Sequence, residues 1–188
     1  MVSIISLWLP IVLSAVFVFL ASSVIHMVLK YHNSDFKKLP DEDEVMAALR
    51  PFGISQGEYV MPRAEDSAQM KDPAFQEKVK QGPVAFMTVM PGDFGMGKSL
   101  LLWFIYCIAM GIFTAYISGR ALGPDVHYME VFRFAGAAAF GGYALALLQN
   151  SIWYKRAWSS TLKSMGDGLV YALVTAGTFG WLWPVSLA

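Results

Sequence analysis

Four stretches of the chain run for a full membrane thickness without a charged side chain: residues 1–29, 99–119, 134–154 and 168–188. A helix crosses the hydrocarbon core with about 20 apolar residues, so each stretch predicts a transmembrane helix. The first is not read as a cleaved signal peptide. No Lys or Arg precedes it, its apolar run is longer than an h-region, and Lys30, Lys37 and Lys38 follow it. The expected fold is therefore an all-α integral membrane protein with four transmembrane helices. It carries a small mixed α/β cytoplasmic loop at 30–98, an outer loop at 120–133 and an interfacial amphipathic helix at 152–165.

Polar positions dominate the first loop. Asp41 followed by Glu44 resembles a capping box opening a helix through Leu49, which Pro51 and Gly53 end. Tyr59 to Met61 reads as a short strand. Asp72-Pro73 opens a second helix to about Lys80, and Val84 to Met90 reads as a second strand stopped by Pro91-Gly92. An αβαβ unit of this size is marginal alone and is expected to rest on the membrane or a partner.

The segment before the fourth stretch shows the clearest helical period. At 100° per residue Trp153, Tyr154, Ala157, Trp158, Thr161 and Leu162 share one face, and Lys155, Arg156, Ser159, Ser160 and Lys163 share the other. A basic face opposite Trp and Leu suits a helix lying in the interface, with Lys155, Arg156 and Lys163 on lipid headgroups. Gly166 then ends that helix and Asp167 caps the fourth span. The alternative is a plain extension of the third span.

Composition agrees with a membrane protein and orients it. Hydrophobic residues make up 56% and charged residues 15%, against about 25% charged in a soluble domain. Formal net charge is zero, so nothing suggests a nucleic-acid partner. Nine Lys and Arg lie in 30–98, three more are Lys155, Arg156 and Lys163, and only Arg120 and Arg133 flank the outer loop. The positive-inside rule places loops 30–98 and 155–167 in the cytoplasm and both termini outside. Trp8, Trp181 and Trp183 suit an outer aromatic belt, and Trp103, Trp153 and Trp158 an inner one.

Small residues let membrane helices approach closely. The expected packing rows are Gly111, Ala115 and Gly119 (with Cys107) in the second span, Ala138, Gly142 and Ala146 in the third, and Ala172, Ala176 and Gly180 in the fourth. The first span has only Ser14 and Ser22, so it is expected at the periphery, facing lipid or another subunit.

Candidate chemistry is sparse. Gly92 to Ser99, GDFGMGKS, matches the Walker A spacing. It leads into an uncharged helix of membrane length, however, and no parallel sheet is available to hold it, so it is read as a turn. His26 and His127 should lie near opposite membrane faces, too far apart to ligate one haem. Cys107 and Met110 offer soft ligands for copper, yet methionines in an apolar chain are usually packing. Cys107 is the only cysteine, so no internal disulfide forms. Ion-coupled transport usually leaves ionisable residues inside the spans, and Glu130, Arg133 and Asp167 are expected at the rims instead. No catalytic, cofactor-binding or metal-ligating residue is assigned.

The stretches LPDEDEVMAALR, SIWYKRAWSS and DGLVYALVTAGTFGWLWP resemble those of uncharacterised bacterial four-helix inner-membrane proteins of similar length. The resemblance implies a bacterial cytoplasmic membrane. The expected function is a non-enzymatic accessory or structural subunit of a membrane assembly, bound to lipid and to other subunits or copies of itself. A small-solute transporter or channel is the alternative.

Overall fold

The computed structural model describes residues 1–92 and 95–185. In chain order the elements are α1 (Trp8–Ser23), α2 (Glu42–Leu49), β1 (Gly57–Met61), α3 (Ser67–Lys71), α4 (Pro73–Gln81), β2 (Ala85–Val89), α5 (Met96–Ala121), α6 (Tyr128–Tyr143), α7 (Leu148–Trp153) and α8 (Trp158–Trp181). They fall into two compact units, Met1–Lys37 with Met96–Ala188, and Lys38–Gly95.

The first unit is a helical bundle. Among the described residues, three helical runs are long and apolar enough to cross a membrane: Ile5–Val28, Met96–Ala121 and Tyr128–Trp153. α8 has 24 residues but is more polar, because Ser159, Ser160, Lys163, Ser164 and Asp167 lie in its first half. Ser160 and Asp167 are buried, so part of this polarity faces protein. The C-terminal end of the fourth apolar stretch, 186–188, lies outside the described residues.

The bundle differs from the sequence expectation in three places, each with a physical cause. First, residues 152–165 do not form one amphipathic helix. α7 ends at Trp153, and the amides of Tyr154 and Arg156 both donate to the Asn150 carbonyl at 3.2 Å. Lys155 adopts φ 57° between them, and α8 begins at Trp158. Ser151 Oγ donates to Thr161 Oγ1 at 2.8 Å, joining the two helices across the turn. Gly166 and Asp167 therefore lie inside α8, and Asp167 caps nothing.

Second, the third span is not one helix over 134–154. α6 begins earlier, where His127 Nδ1 accepts from the Met129 amide. It ends at Tyr143, followed by a 3₁₀ turn at Leu145–Leu147. The break rotates the later residues off the earlier face. Val131, Ala135, Ala139 and Tyr143 form the buried row of α6, while Ala138 is half-buried and Ala146 exposed. Gly142 lies under the thioether of Met110.

Third, α1 is not peripheral. It packs on α5 and α8, burying Ile11, Ala15 and Val18, with Leu7 buried just ahead of it. Its bulky side chains meet a partner with small ones. A Cβ on Gly111 would stand 3.1 Å from the Ile11 carbonyl, and one on Gly119 would stand 2.6 Å from the Val2 carbonyl. Ala115, Ala172 and Ala176 are buried, and Gly180 lies under the Tyr128 ring. Two expected belt residues also point inward. Trp103 Nε1 donates to Ser22 Oγ at 2.8 Å, and Trp183 Nε1 donates to the Gly123 carbonyl at 2.9 Å.

The second unit holds a two-stranded antiparallel sheet, with Gly57 opposite Val89 and Met61 opposite Ala85. Glu58 accepts from the Thr88 hydroxyl across the pair. Asp72 caps α4, its carboxylate accepting from the Ala74 amide at 2.9 Å. Asp41 makes no capping box: it sits at φ 45° with no side-chain cap bond. None of the described residues in this unit is buried. Of the Walker-like segment, Asp93 and Phe94 lie outside the described residues. β2, which precedes it, pairs antiparallel with β1, whereas a nucleotide-binding P-loop follows a strand of a parallel sheet.

Candidate functional site

The polar centre of the first unit is built where the end of α1 meets the first half of α8. Two departures from regular helix place its residues. α1 widens into π-helix over Val24–Val28, which carries His26. Insertions of this kind are rare and frequently mark functional sites. Lys30 then takes a left-handed φ of 53°, and the chain folds into a 3₁₀ turn at Tyr31–Ser34. In an unbroken α-helix, residues six apart point about 120° away from one another. Here the His26 and His32 rings lie 4.7 Å apart.

α8 supplies the other half. Asp167 is buried, with one carboxylate oxygen hydrogen-bonded by the Tyr31 hydroxyl. Its Oδ2 lies 2.7 Å from His32 Nε2. The second ring nitrogen of His32, Nδ1, lies 2.6 Å from Asp35 Oδ2. His32 thus bridges two carboxylates, and only as the imidazolium does it donate to both.

Lys163, one turn before Asp167, completes the cluster. Its ammonium donates to the Tyr31 carbonyl at 2.9 Å, to Ser34 Oγ at 2.7 Å and to Asp35 Oδ1 at 3.0 Å. The His32 hydrogen bond is the main reason the Asp35 carboxyl sits well below its usual range, at about 2; burial opposes this, and Lys163 adds to it. His32 and Lys163 thus face the carboxyl groups of Asp35 and Asp167, and such pairing matters because an unpaired buried charge is strongly unfavourable. On the bundle side, Tyr171 is buried with its hydroxyl 3.4 Å from His26 Nε2. His26, His32 and Asp167 each bring a ligand-type atom within 4.8 Å of the other two.

The three residues assigned to lipid headgroups separate here. Lys155 is exposed and bonds its own turn, donating to the Ile152 carbonyl at 2.9 Å. Arg156 is half-exposed. Lys163 faces protein, because α8 already runs as helix through this position. Cys107 and Met110 are core residues.

In the sequence His26, Lys163 and Asp167 stand apart from one another, and Tyr31, His32 and Asp35 carry no assignment. Two signals were present: His32 and Asp35 at i, i+3, and Lys163 and Asp167 at i, i+4. Both spacings put a pair on one helical face, but neither shows that the two faces meet across 128 or more residues of chain. No protein-family model, no curated protein and no solved structure matches the chain.

Proposed function

We propose that the chain is a four-span membrane protein of the bacterial cytoplasmic membrane, with both termini outside, acting as a non-enzymatic accessory subunit of a larger assembly. α8 is the fourth span. Its 24 residues extend about 36 Å, enough for the hydrocarbon core. Its low hydropathy comes from side chains such as Thr161 and Asp167 that are buried inside the bundle, where they need no lipid-compatible surface.

The observation that carries the subunit reading is the second unit. Its described residues form three short α-helices and a two-stranded antiparallel sheet, yet none of them is buried. Phe52, Met70, Val84 and Met90 stand exposed. A unit of this size without an apolar core lacks the main driving force for stable folding, so a covering surface accounts for its order. Extraction in mild detergent, followed by size analysis and limited proteolysis, tests this. The expected result is a complex with a second polypeptide that protects residues 38–95, and cleavage in that segment once the complex is dissociated. A single-chain particle equally resistant at 38–95 would overturn the reading.

The transporter alternative draws support from one feature, the buried carboxylate of Asp167 in α8, since ionisable groups at membrane depth commonly serve ion pathways. Solute flux in proteoliposomes that Asp167→Asn abolishes would favour it over the subunit.

A further inference from the structure

We propose that His26, His32 and Asp167 form an exchangeable binding site for one first-row divalent transition-metal ion, of the zinc type. Two imidazoles and one carboxylate are a common protein ligand set for such ions, and three protein ligands leave a coordination position open. The proposal goes beyond the subunit reading and does not depend on any partner.

Three observations carry it together. The ligand atoms already converge within 4.8 Å. Metal bonds of about 2.0–2.2 Å to N and O require ligand atoms roughly 3–3.5 Å apart, so small side-chain rotations complete the site. The ion takes the place of the hydrogen bond between His32 Nε2 and Asp167 Oδ2, now 2.7 Å long.

The surroundings are those that metal ligands use. A metal-bound histidine generally gives its other ring N–H to a carboxylate, which fixes the tautomer and ring orientation. His32 Nδ1 has that partner in Asp35 at 2.6 Å, and Lys163 holds the far oxygen of Asp35 at 3.0 Å. The ligating carboxylate is itself hydrogen-bonded by Tyr31. A cluster serving only as a structural ion pair would need one carboxylate for each cation. It would not need His26 brought beside His32 by a π-helical turn.

Access is the third observation. His26 is exposed while Asp167 is buried, so the site has an open side at His26 and a protein-enclosed side at Asp167.

The full chain, purified in detergent without an affinity tag and stripped with chelator, is titrated with Zn²⁺ and separately with Co²⁺. One ion per chain is expected, with a Co²⁺ visible spectrum of nitrogen and oxygen ligation and a rise in melting temperature. His32→Ala and Asp167→Ala should each abolish the stoichiometric site. Asp35→Asn should weaken it by about 10- to 100-fold, the usual effect of losing a carboxylate partner of a ligating histidine. His127→Ala, remote in sequence and used as a helix cap, should leave it unchanged. Absence of one-to-one binding in the wild-type chain overturns the proposal, as does equal affinity in His32→Ala. Should Asp167→Ala fail to accumulate, Asp35→Asn decides: affinity equal to wild type overturns the site. None of these results bears on the protease and size measurements that test the subunit reading.

Discussion

At the scale of single residues, the bundle depends on one glycine more than the sequence rows suggest. A Cβ on Gly168 would stand 2.8 Å from the Tyr143 carbonyl and 2.9 Å from Ala144 Cβ, both fixed groups at the end of α6. A methyl group there has nowhere to go, and forced overpacking costs about 1–3 kcal/mol. Gly168→Ala should therefore lower the melting temperature in detergent. Gly141→Ala adds the same methyl group where no atom lies within 4 Å, and its higher helix propensity should leave stability equal or slightly improved. Equal melting of the two variants would contradict the close approach of α6 and α8. Gly168 continues the i, i+4 row of Ala172, Ala176 and Gly180 by one step, but that it meets the Tyr143 carbonyl is a tertiary fact.

Among elements, the turn between α7 and α8 decides how the last quarter of the chain is built. The apolar and basic faces of 152–164 have a true helical period, yet period alone does not hold a helix together where the backbone finds better partners. Here the Asn150 carbonyl takes two amides, and Lys155 enters the left-handed region. That conformation costs a residue with a Cβ about 1–2 kcal/mol relative to glycine. Lys155→Gly should thus raise stability, or at least not reduce it. In a continuous interfacial helix the same change would cost about 1 kcal/mol through lost helix propensity. The sign of the melting shift separates the two structures. The turn also sets the α8 register, so that Lys163 and Asp167 face the Tyr31–Asp35 segment rather than lipid.

For the whole molecule, the proposed orientation rests on where Lys and Arg accumulate. Twelve of the fourteen lie in 30–98 and 155–163, and moving such residues across the membrane is disfavoured. Phosphatase fusions should be active after Ala188 and inactive at Gln56, with cytoplasmic reporters giving the reverse. The opposite pattern would invert the molecule and put the polar cluster on the outer side. The membrane-like helical character, three of the four expected long apolar helices and the division between apolar bundle and polar loop are legible in the sequence. Each depends on local composition averaged over about 20 residues, and transfer from water to lipid is roughly additive over such a window. Three things were decided only by the tertiary structure: that α1 lies in the core, that the buried face of α6 is Val131, Ala135, Ala139 and Tyr143, and that His26, His32, Asp35, Lys163 and Asp167 meet. All three depend on neighbours distant in sequence, and the last also on departures from regular helix at Val24–Val28 and Lys30. A π-turn or a left-handed residue leaves almost no mark on hydropathy, because it redirects side chains without changing which ones they are.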